Sequence, residues 1–432
     1  MKDCCQGEKR KKVLIITYFF PPKRDVGSLR ARGLAKYLPE TGWEPVVLTP
    51  LLPANPEPSF RVIETVPPLR ERMRIWRRGD AGLKARLQEC QHNERVAKPV
   101  PGKSLGSYFR ETVPFPDSKV GWKIFALTAG RAIIKQEKPL AMVSISGPVT
   151  CHLVASQLKK EYPFLFWTAD FRDLWTLDPY YRHQGIRRYF EAGLEKKTLA
   201  NADALITVSN PLAQRLEDFH HRQSFGIPNG FDPDEFVEGE RELQPDFTIT
   251  YTGSTYAGKR NPEPLFVALK ELFSQGKIGP NEVKVNFYGP PAKGLESLIL
   301  DYGLKGVVSQ QGRVLREEAL KCQRTSQILL LLNRDDPKEE GVYTAKVFEY
   351  LAAGRPILAI GGYGGVVKEM LSETGAGVHC PDKETVKNRV WEWYQEWKKT
   401  GRVIYQGRRE VIMKYSQRTM AQKFARILDS AK

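Results

Sequence analysis

The stretch YTAKVFEYLAAGRPILAI, Tyr343–Ile360, reads as a helix of about two and a half turns, a sharp stop and a buried strand. Val347, Phe348, Leu351 and Ala352 recur at the helical period and would face a core. Lys346, Glu349, Tyr350 and Ala353 fall on the opposite face. Thr344 stands where an N-cap belongs, and Gly354 and Pro356 close the helix. Lys346 then sits at the positive end of the helix dipole, where a cation costs roughly 0.3–1 kcal/mol. Two readings fit it: an exposed Lys346/Glu349 pair at i,i+3, or a cation that joins the free helix N–H groups in holding an external anion such as a phosphate.

Working outward, strand and helix signals alternate along the whole chain, the pattern of parallel sheets covered by helices. KVLIITYFF, EPVVLTP, AMVSIS, FLFWTAD and ALITVS read as strands of a first half, with helices over SLRARGLAKYL, near Val149–Lys160 and near Arg187–Ala200. A second alternation starts at FTITYTGS and runs through VKVNFYG, VVSQQG and ILLLLN to PILAI. VWEWYQEWKK and AQKFARILDSAK read as terminal helices. The Pro-rich, basic stretch from about 51 to 119 has weak periodicity and reads as an insertion or loop region. Two Rossmann-like halves, joined through the acidic FDPDEFVEGERELQPD, are the simplest architecture, with a ligand expected between them at strand C-terminal ends.

The 432 residues suffice for two substantial cores. No apolar run approaches the ~20 residues that span a bilayer, and MKDCCQGEKRKKVLIITYFF lacks the order of a signal peptide, so a cytoplasmic protein is expected. Six cysteines without CxxC spacing fit a reducing compartment, and the six scattered histidines suggest no metal site. The formal charge is +17, and residues 61–140 alone supply +9, with 17 Lys/Arg against 8 Asp/Glu. There RERMRIWRRGD is interleaved with Leu69, Met73, Ile75, Trp76, Leu83 and Leu87, a mixture that suits an anionic membrane surface better than a nucleic-acid groove. A merely solvated basic surface fits equally well. No nucleic-acid motif accompanies the charge, so no nucleic-acid partner is expected.

ADALITVSNPLAQRL, IPNGFDPDEF, YTGSTYAGKR and YTAKVFEYLAAGRPILAI, in this order, resemble the retaining nucleotide-sugar glycosyltransferases of family 4, and PFPDSKVGW, SISGP and DFRDLW resemble a bacterial cell-surface-glycan branch. The resemblance implies an α/β GT-B fold, two Rossmann-like domains facing a central cleft. It divides the chain into an acceptor domain over 1–240 with the insertion at about 51–119, a donor domain over 241–405, and a helical segment over 406–432 that packs back on the first domain. It implies a nucleotide-diphosphate sugar as donor, a saccharide or lipid-linked acceptor, no cofactor and no metal, and a place in the cytoplasm or on the inner face of the membrane. A nucleotide-sugar epimerase or hydrolase of the same fold, or a catalytically weak binding subunit, remains as an alternative.

The same resemblance assigns residues. The glycine-plus-base element falls on Gly253 and its loop, where the family often has Arg next and Lys six residues on; here Ser254 and Arg260 take those places, with Lys259 adjacent. Lys346 is placed to supply the missing cation. Glu349 matches the carboxylate that accepts from the ribose hydroxyls. Its usual partner eight residues upstream falls on Gly341, with Glu340 nine upstream, and Tyr343 and Thr344 carry over as contacts to phosphate or sugar. In the first half Gly27 matches one member of a glycine pair whose other place is taken by Val26, and Arg172 and Asp173 of DFRDLW emerge at a strand end, with Asp173 toward acceptor hydroxyls. The structural alternatives are a turn at Gly27, a mutual Arg172–Asp173 ion pair and a solvated loop at Lys259 and Arg260. His152 reads as a satisfied, partly buried histidine, and Asn229 and Gly230 as turn residues.

Overall fold

A computed structural model describes residues 10–23, 26–96, 115–181, 183–235, 242–255 and 258–431. The chain divides into two compact units, one of Met1–Asn229 with Gln417–Lys432, the other of Gly230–Ser416.

In the first unit the strands are β1 (Lys11–Ile16), β2 (Trp43–Pro50), β3 (Arg61–Thr65), β4 (Ala141–Ile145), β5 (Phe166–Phe171), β6 (Ala204–Thr207) and β7 (Ser224–Gly226). They form one sheet in the order β3-β2-β1-β4-β5-β6-β7, with every pairing parallel. The second unit has β8 (Phe247–Thr252), β9 (Val283–Tyr288), β10 (Val308–Gly312), β11 (Ile328–Leu332), β12 (Ile357–Ile360) and β13 (Gly377–Cys380). Their order is β10-β9-β8-β11-β12-β13, again all parallel. Counted from its own first strand, each sheet contains the order 3-2-1-4-5-6, extended by a seventh strand in the first unit, and this is the doubly wound order whose switch point lies at the C-terminal ends of strands 1 and 4. The second unit therefore has its switch point where β8 ends at Thr252 and β11 ends at Leu332.

Continuous apolar runs form these strands because both sheet faces are covered. Leu14 and Ile16 enter a cluster with Trp122 and Trp167, whereas Val13 and Ile15 enter another with Leu34 and Phe424. In the second unit Leu330 and Leu332 pack with Phe247 and Phe266, and their neighbours Leu329 and Leu331 with Val347, Phe348 and Leu351. Fully burying each such side chain contributes roughly 1.5–3 kcal/mol.

The helix Ala345–Ala353 thus lies against β11 by the apolar face read from the sequence, and Gly354 ends it at φ +65°. Thr344 occupies the N-cap position with extended backbone, but its side chain makes no capping bond. Tyr350 departs from the expectation. Placed by the helical period away from the core, it is fully buried, because the face turned from β11 meets the end of β8.

The stretch expected to be loop carries regular structure. Arg61–Thr65 is the edge strand β3, in register with β2, and Leu69–Arg78 and Ala81–Val96 are helices. Dense arginine hid the apolar periodicity of Leu69–Arg78; residues 97–114 lie outside the described part. The aromatic helix Lys383–Thr400 starts from a capping box of Asp382 and Thr385 and sets Tyr394 and Trp397 against Phe247. The last helix, Gln417–Leu428, belongs to the first unit, where Met420, Phe424 and Leu428 are buried. Among the described residues no helix is long and apolar enough to cross a membrane.

Candidate functional site

At the switch point of the second unit, β8 gives way to Gly253, whose φ of +113° disfavours any side chain. A Cβ there would stand 2.3 Å from Lys346 Cε and 2.9 Å from Nζ, so the glycine leaves room for the lysine. Behind it, a Cβ on Gly289 (φ +158°) would stand 2.2 Å from the Gly253 carbonyl oxygen, and the two backbones meet directly.

Lys346 reaches this place from the first turn of the helix Ala345–Ala353. Its Nζ donates to the Tyr251 hydroxyl at 2.6 Å and lies 4.1 Å from that ring's centroid, while the hydroxyl donates to the Ser254 carbonyl at 2.7 Å. Burial, with the Arg260 charge adding and the Glu349 charge opposing, pushes the Lys346 ammonium down to about 6. At neutral pH the empty site therefore holds this amine largely uncharged. An anion bound beside Lys346 and Arg260 would restore the proton. Arg260 is buried, whereas Lys259 is exposed.

Glu349 lies one turn beyond Lys346 on the same helix. Its carboxylate is 3.5 Å from Gln323 Nε2 and 3.8 Å from Arg316 Nη2. Burial pushes its carboxyl above the usual range; Arg316, Gln323 and Lys346 oppose that, and Glu235 adds to it. Gln323 is fully buried and donates to Thr252 Oγ1 at 2.9 Å, and the Thr252 amide donates to the Tyr350 hydroxyl at 3.0 Å. Arg316 is held by a bidentate pair with Glu235, at 2.8 and 3.1 Å, so it meets Glu349 from a fixed position.

The structure brings Gly253, Ser254, Arg260, Lys346 and Glu349 into one site. Thr344 lies at its edge: its buried hydroxyl has no hydrogen-bond partner among the described residues, and with Asn333, Arg334, Glu340, Gly362 and Gly364 it lines a small cavity. The Glu340 side chain is exposed, and its carbonyl accepts from the Val366 amide at 2.9 Å. Tyr343 points elsewhere, packing against Phe348 and Tyr415 at centroid distances of 5.5 and 6.5 Å. Tyr251, Gln323, Arg316 and Glu235 were not singled out by sequence. Only the apolar alternation of β8 and the i,i+7 spacing of Arg316 and Gln323 hinted at them.

In the first unit Arg172 and Asp173 follow β5 as foreseen and form the mutual ion pair, at 3.0 Å, with Asp173 exposed to solvent. A Cβ on Gly147 would stand 3.1 Å from the Arg172 guanidinium. Gly27 is no turn residue: it is buried in the first turn of the helix Val26–Tyr37, which begins before Ser28. Asn229 accepts from Arg30, whose guanidinium also makes a buried bidentate pair with Asp170 at 2.7 Å and bonds the Ile227 carbonyl. His152 is fully buried with Nδ1 2.8 Å from Ser144 Oγ, and burial pushes its imidazolium down to about 3, so it stays neutral.

A sequence model of Glycosyltransferase Family 4 matches residues 82–235. No curated protein matches the sequence. Among solved structures, the chain resembles sucrose-phosphate synthase (tll1590) from Thermosynechococcus elongatus, with 16% identity, a TM-score of 0.60 and coverage of 98% of this chain and 99% of that one. It also resembles the N-terminal domain of Candida albicans trehalose-6-phosphate phosphatase, with 13% identity, a TM-score of 0.62 and coverage of 98% and 97%. Anabaena Alr3699/HepE in complex with UDP and glucose has 12% identity, a TM-score of 0.58 and coverage of 97% and 100%. The motif-borne resemblance is thus met by the family model over residues 82–235, and the expected GT-B fold of two parallel-sheet α/β domains by these structures.

Proposed function

With residues 82–235 matching Glycosyltransferase Family 4, we propose that the protein transfers a sugar, with retention of anomeric configuration, from a nucleotide-diphosphate sugar to a saccharide or lipid-linked acceptor in cell-surface polysaccharide synthesis. The observation that carries the proposal is the Lys346 amine held against Gly253 at a doubly wound switch point, with Glu349 one turn on. The diphosphate lies at the N-terminus of the helix Ala345–Ala353, where free N–H groups, Lys346 and Arg260 take its charge. Glu349 accepts from the two ribose hydroxyls, each carboxylate oxygen taking one proton. These cations supply the neutralisation a divalent metal gives elsewhere, so the reaction is metal-independent.

In the transfer step the acceptor oxygen bonds to the anomeric carbon as the bond to the diphosphate breaks, and the hydroxyl proton passes to a diphosphate oxygen. Lys346 then stabilises the leaving group. In this reading Asp173, positioned by Arg172, accepts from acceptor hydroxyls, and Gly27, Ser254, Lys259 and Thr344 border the substrates. The protein works in the cytoplasm and meets an anionic membrane surface through the basic residues of 61–140.

Thermal-shift and calorimetric titration with UDP-, GDP- and ADP-sugars test the proposal. One of these should bind wild type, and Lys346→Ala and Glu349→Ala should each lose that binding while keeping their fold. Unchanged affinity in both variants would sink the site. Conversion of the donor with no acceptor present would replace transfer by epimerisation or hydrolysis.

A further inference from the structure

The helix Ile186–Leu199 of the first unit turns three large apolar residues to solvent and its two acids to the core, while Leu194 and Leu199 pack inward. Ile186, Tyr189 and Phe190, at i, i+3 and i+4, are 78%, 79% and 62% exposed. Glu191 and Glu195 are buried: Glu191 accepts from Trp175 Nε1 at 3.2 Å, and Glu195 from the Thr176 amide at 3.0 Å. The outward charges on this helix, Arg188, Lys196 and Lys197, are therefore all basic. Folding alone does not account for three large apolar side chains left in water on one stripe.

The helix Leu69–Arg78 repeats the arrangement. Met73 and Trp76 are about half exposed among the outward Arg70, Arg74, Arg77 and Arg78, and its one acid, Glu71, is turned inward onto Lys119. Both helices hold the segment 115–119: Glu71 pairs with Lys119, while Arg187 donates to the Pro116 carbonyl at 3.3 Å and lies over the Phe115 ring at 5.8 Å. Five residues span at most about 14 Å between their end Cα atoms, so the two helices belong to one region of the unit.

We infer that this region, and not the basic stretch alone, docks the protein on an anionic lipid bilayer, with Ile186, Tyr189, Phe190, Met73 and Trp76 entering the headgroup layer. Apolar rings beside outward charges of a single sign are the pattern of an interfacial helix. The sign also selects the occupant, since two copies meeting by this face would bring cation against cation. Anionic headgroups accept the arginines and lysines, and the acyl boundary accepts the rings. The inference shares the membrane part of the reading above and is independent of the donor chemistry.

Co-sedimentation of the full chain with phosphatidylcholine vesicles, with and without phosphatidylglycerol, tests it, alongside nucleotide-sugar binding in the same preparations. Wild type should sediment only with the anionic vesicles and be released by salt. The triple variant Ile186→Ser, Tyr189→Ser, Phe190→Ser should unfold at an unchanged temperature, keep its donor affinity, and bind the vesicles at least about tenfold more weakly. Wild type left in the supernatant with both vesicle types would overturn the docking altogether. A triple variant that sediments like wild type would overturn the role of this helix while leaving the basic residues of 61–140 in place. Reversible self-association that the triple variant abolishes, without vesicle binding, would give the face to a second copy instead.

Discussion

Lys346 and Gly253 occupy each other's space: the lysine's Cε lies 2.3 Å from where a Cβ on the glycine would be. Gly253→Ala should therefore act in two ways. The left-handed backbone strains the alanine by roughly 1–3 kcal/mol, and the methyl group drives the lysine off Tyr251. The far end of a lysine moves easily, so the fold survives while donor affinity is lost. Urea unfolding and calorimetry separate the two effects, and a variant with wild-type affinity would show that the lysine position is immaterial.

Donor binding should take up a proton. With the Lys346 ammonium pushed down to about 6 in the empty site, a bound diphosphate raises it again. Nucleotide-sugar affinity should then fall by up to about tenfold per pH unit above pH 6 until the bound-state value is reached. Lys346→Arg keeps the charge at every pH and should flatten the slope. Calorimetry in two buffers of different ionisation enthalpy reads the proton directly.

The same shift has an opposite face in stability. Below pH 6 the lysine is protonated folded and unfolded, and the folded chain bears the full cost of burying that charge. Between pH 6 and the ordinary lysine range the unfolded chain binds the extra proton, so stability contributed by this site rises with pH. Lys346→Met should raise stability at pH 6 by at least ~1 kcal/mol and lessen that rise. Denaturant midpoints across pH 6–10 measure it, in the absence of nucleotide.

The fold was legible because parallel strands buried on both faces must be apolar throughout, as VLII and ILLLL are. β3 and the helix Leu69–Arg78 escaped notice because edge position and arginine-rich faces dilute the apolar signal. In the site, Lys346 stands out as a charge at the wrong helix end, and Gly253 through the glycine-plus-base element of the family that the motifs resemble. Gln323 and Arg316 could not, since they meet Glu349 only after the intervening residues have closed β11 against β8. The inward acids of the helix Ile186–Leu199 were equally silent. Glu191 and Glu195 look like ordinary surface charges until Trp175 and Thr176 are seen to bind them.

Arg30 and Asp170 form a bidentate pair with almost no solvent contact in the first unit. Arg30→Ala leaves a buried carboxylate alone and should cost about 3–5 kcal/mol. The double variant Arg30→Met, Asp170→Leu should recover most of that loss, because no charge is left unpaired. Equal destabilisation of the single and double variants would mean that the bonds from Arg30 to Ile227 and Asn229, not the ion pair, hold this corner.

Glu349 should be the residue that tells ribose from deoxyribose. Its carboxylate can accept both ribose hydroxyls only while Arg316 and Gln323 keep it in place, and loss of one charge-assisted hydrogen bond costs about 1.5–3 kcal/mol. Wild type should then bind a 2′-deoxynucleotide sugar roughly 10- to 100-fold more weakly than its ribose counterpart. In Glu349→Ala both donors should bind weakly and alike. Arg316→Gln loosens the carboxylate without removing it, so it should shrink the discrimination by a smaller factor. If Glu349→Ala keeps the full preference for ribose, the sugar hydroxyls are read by another group and the clamp does not exist.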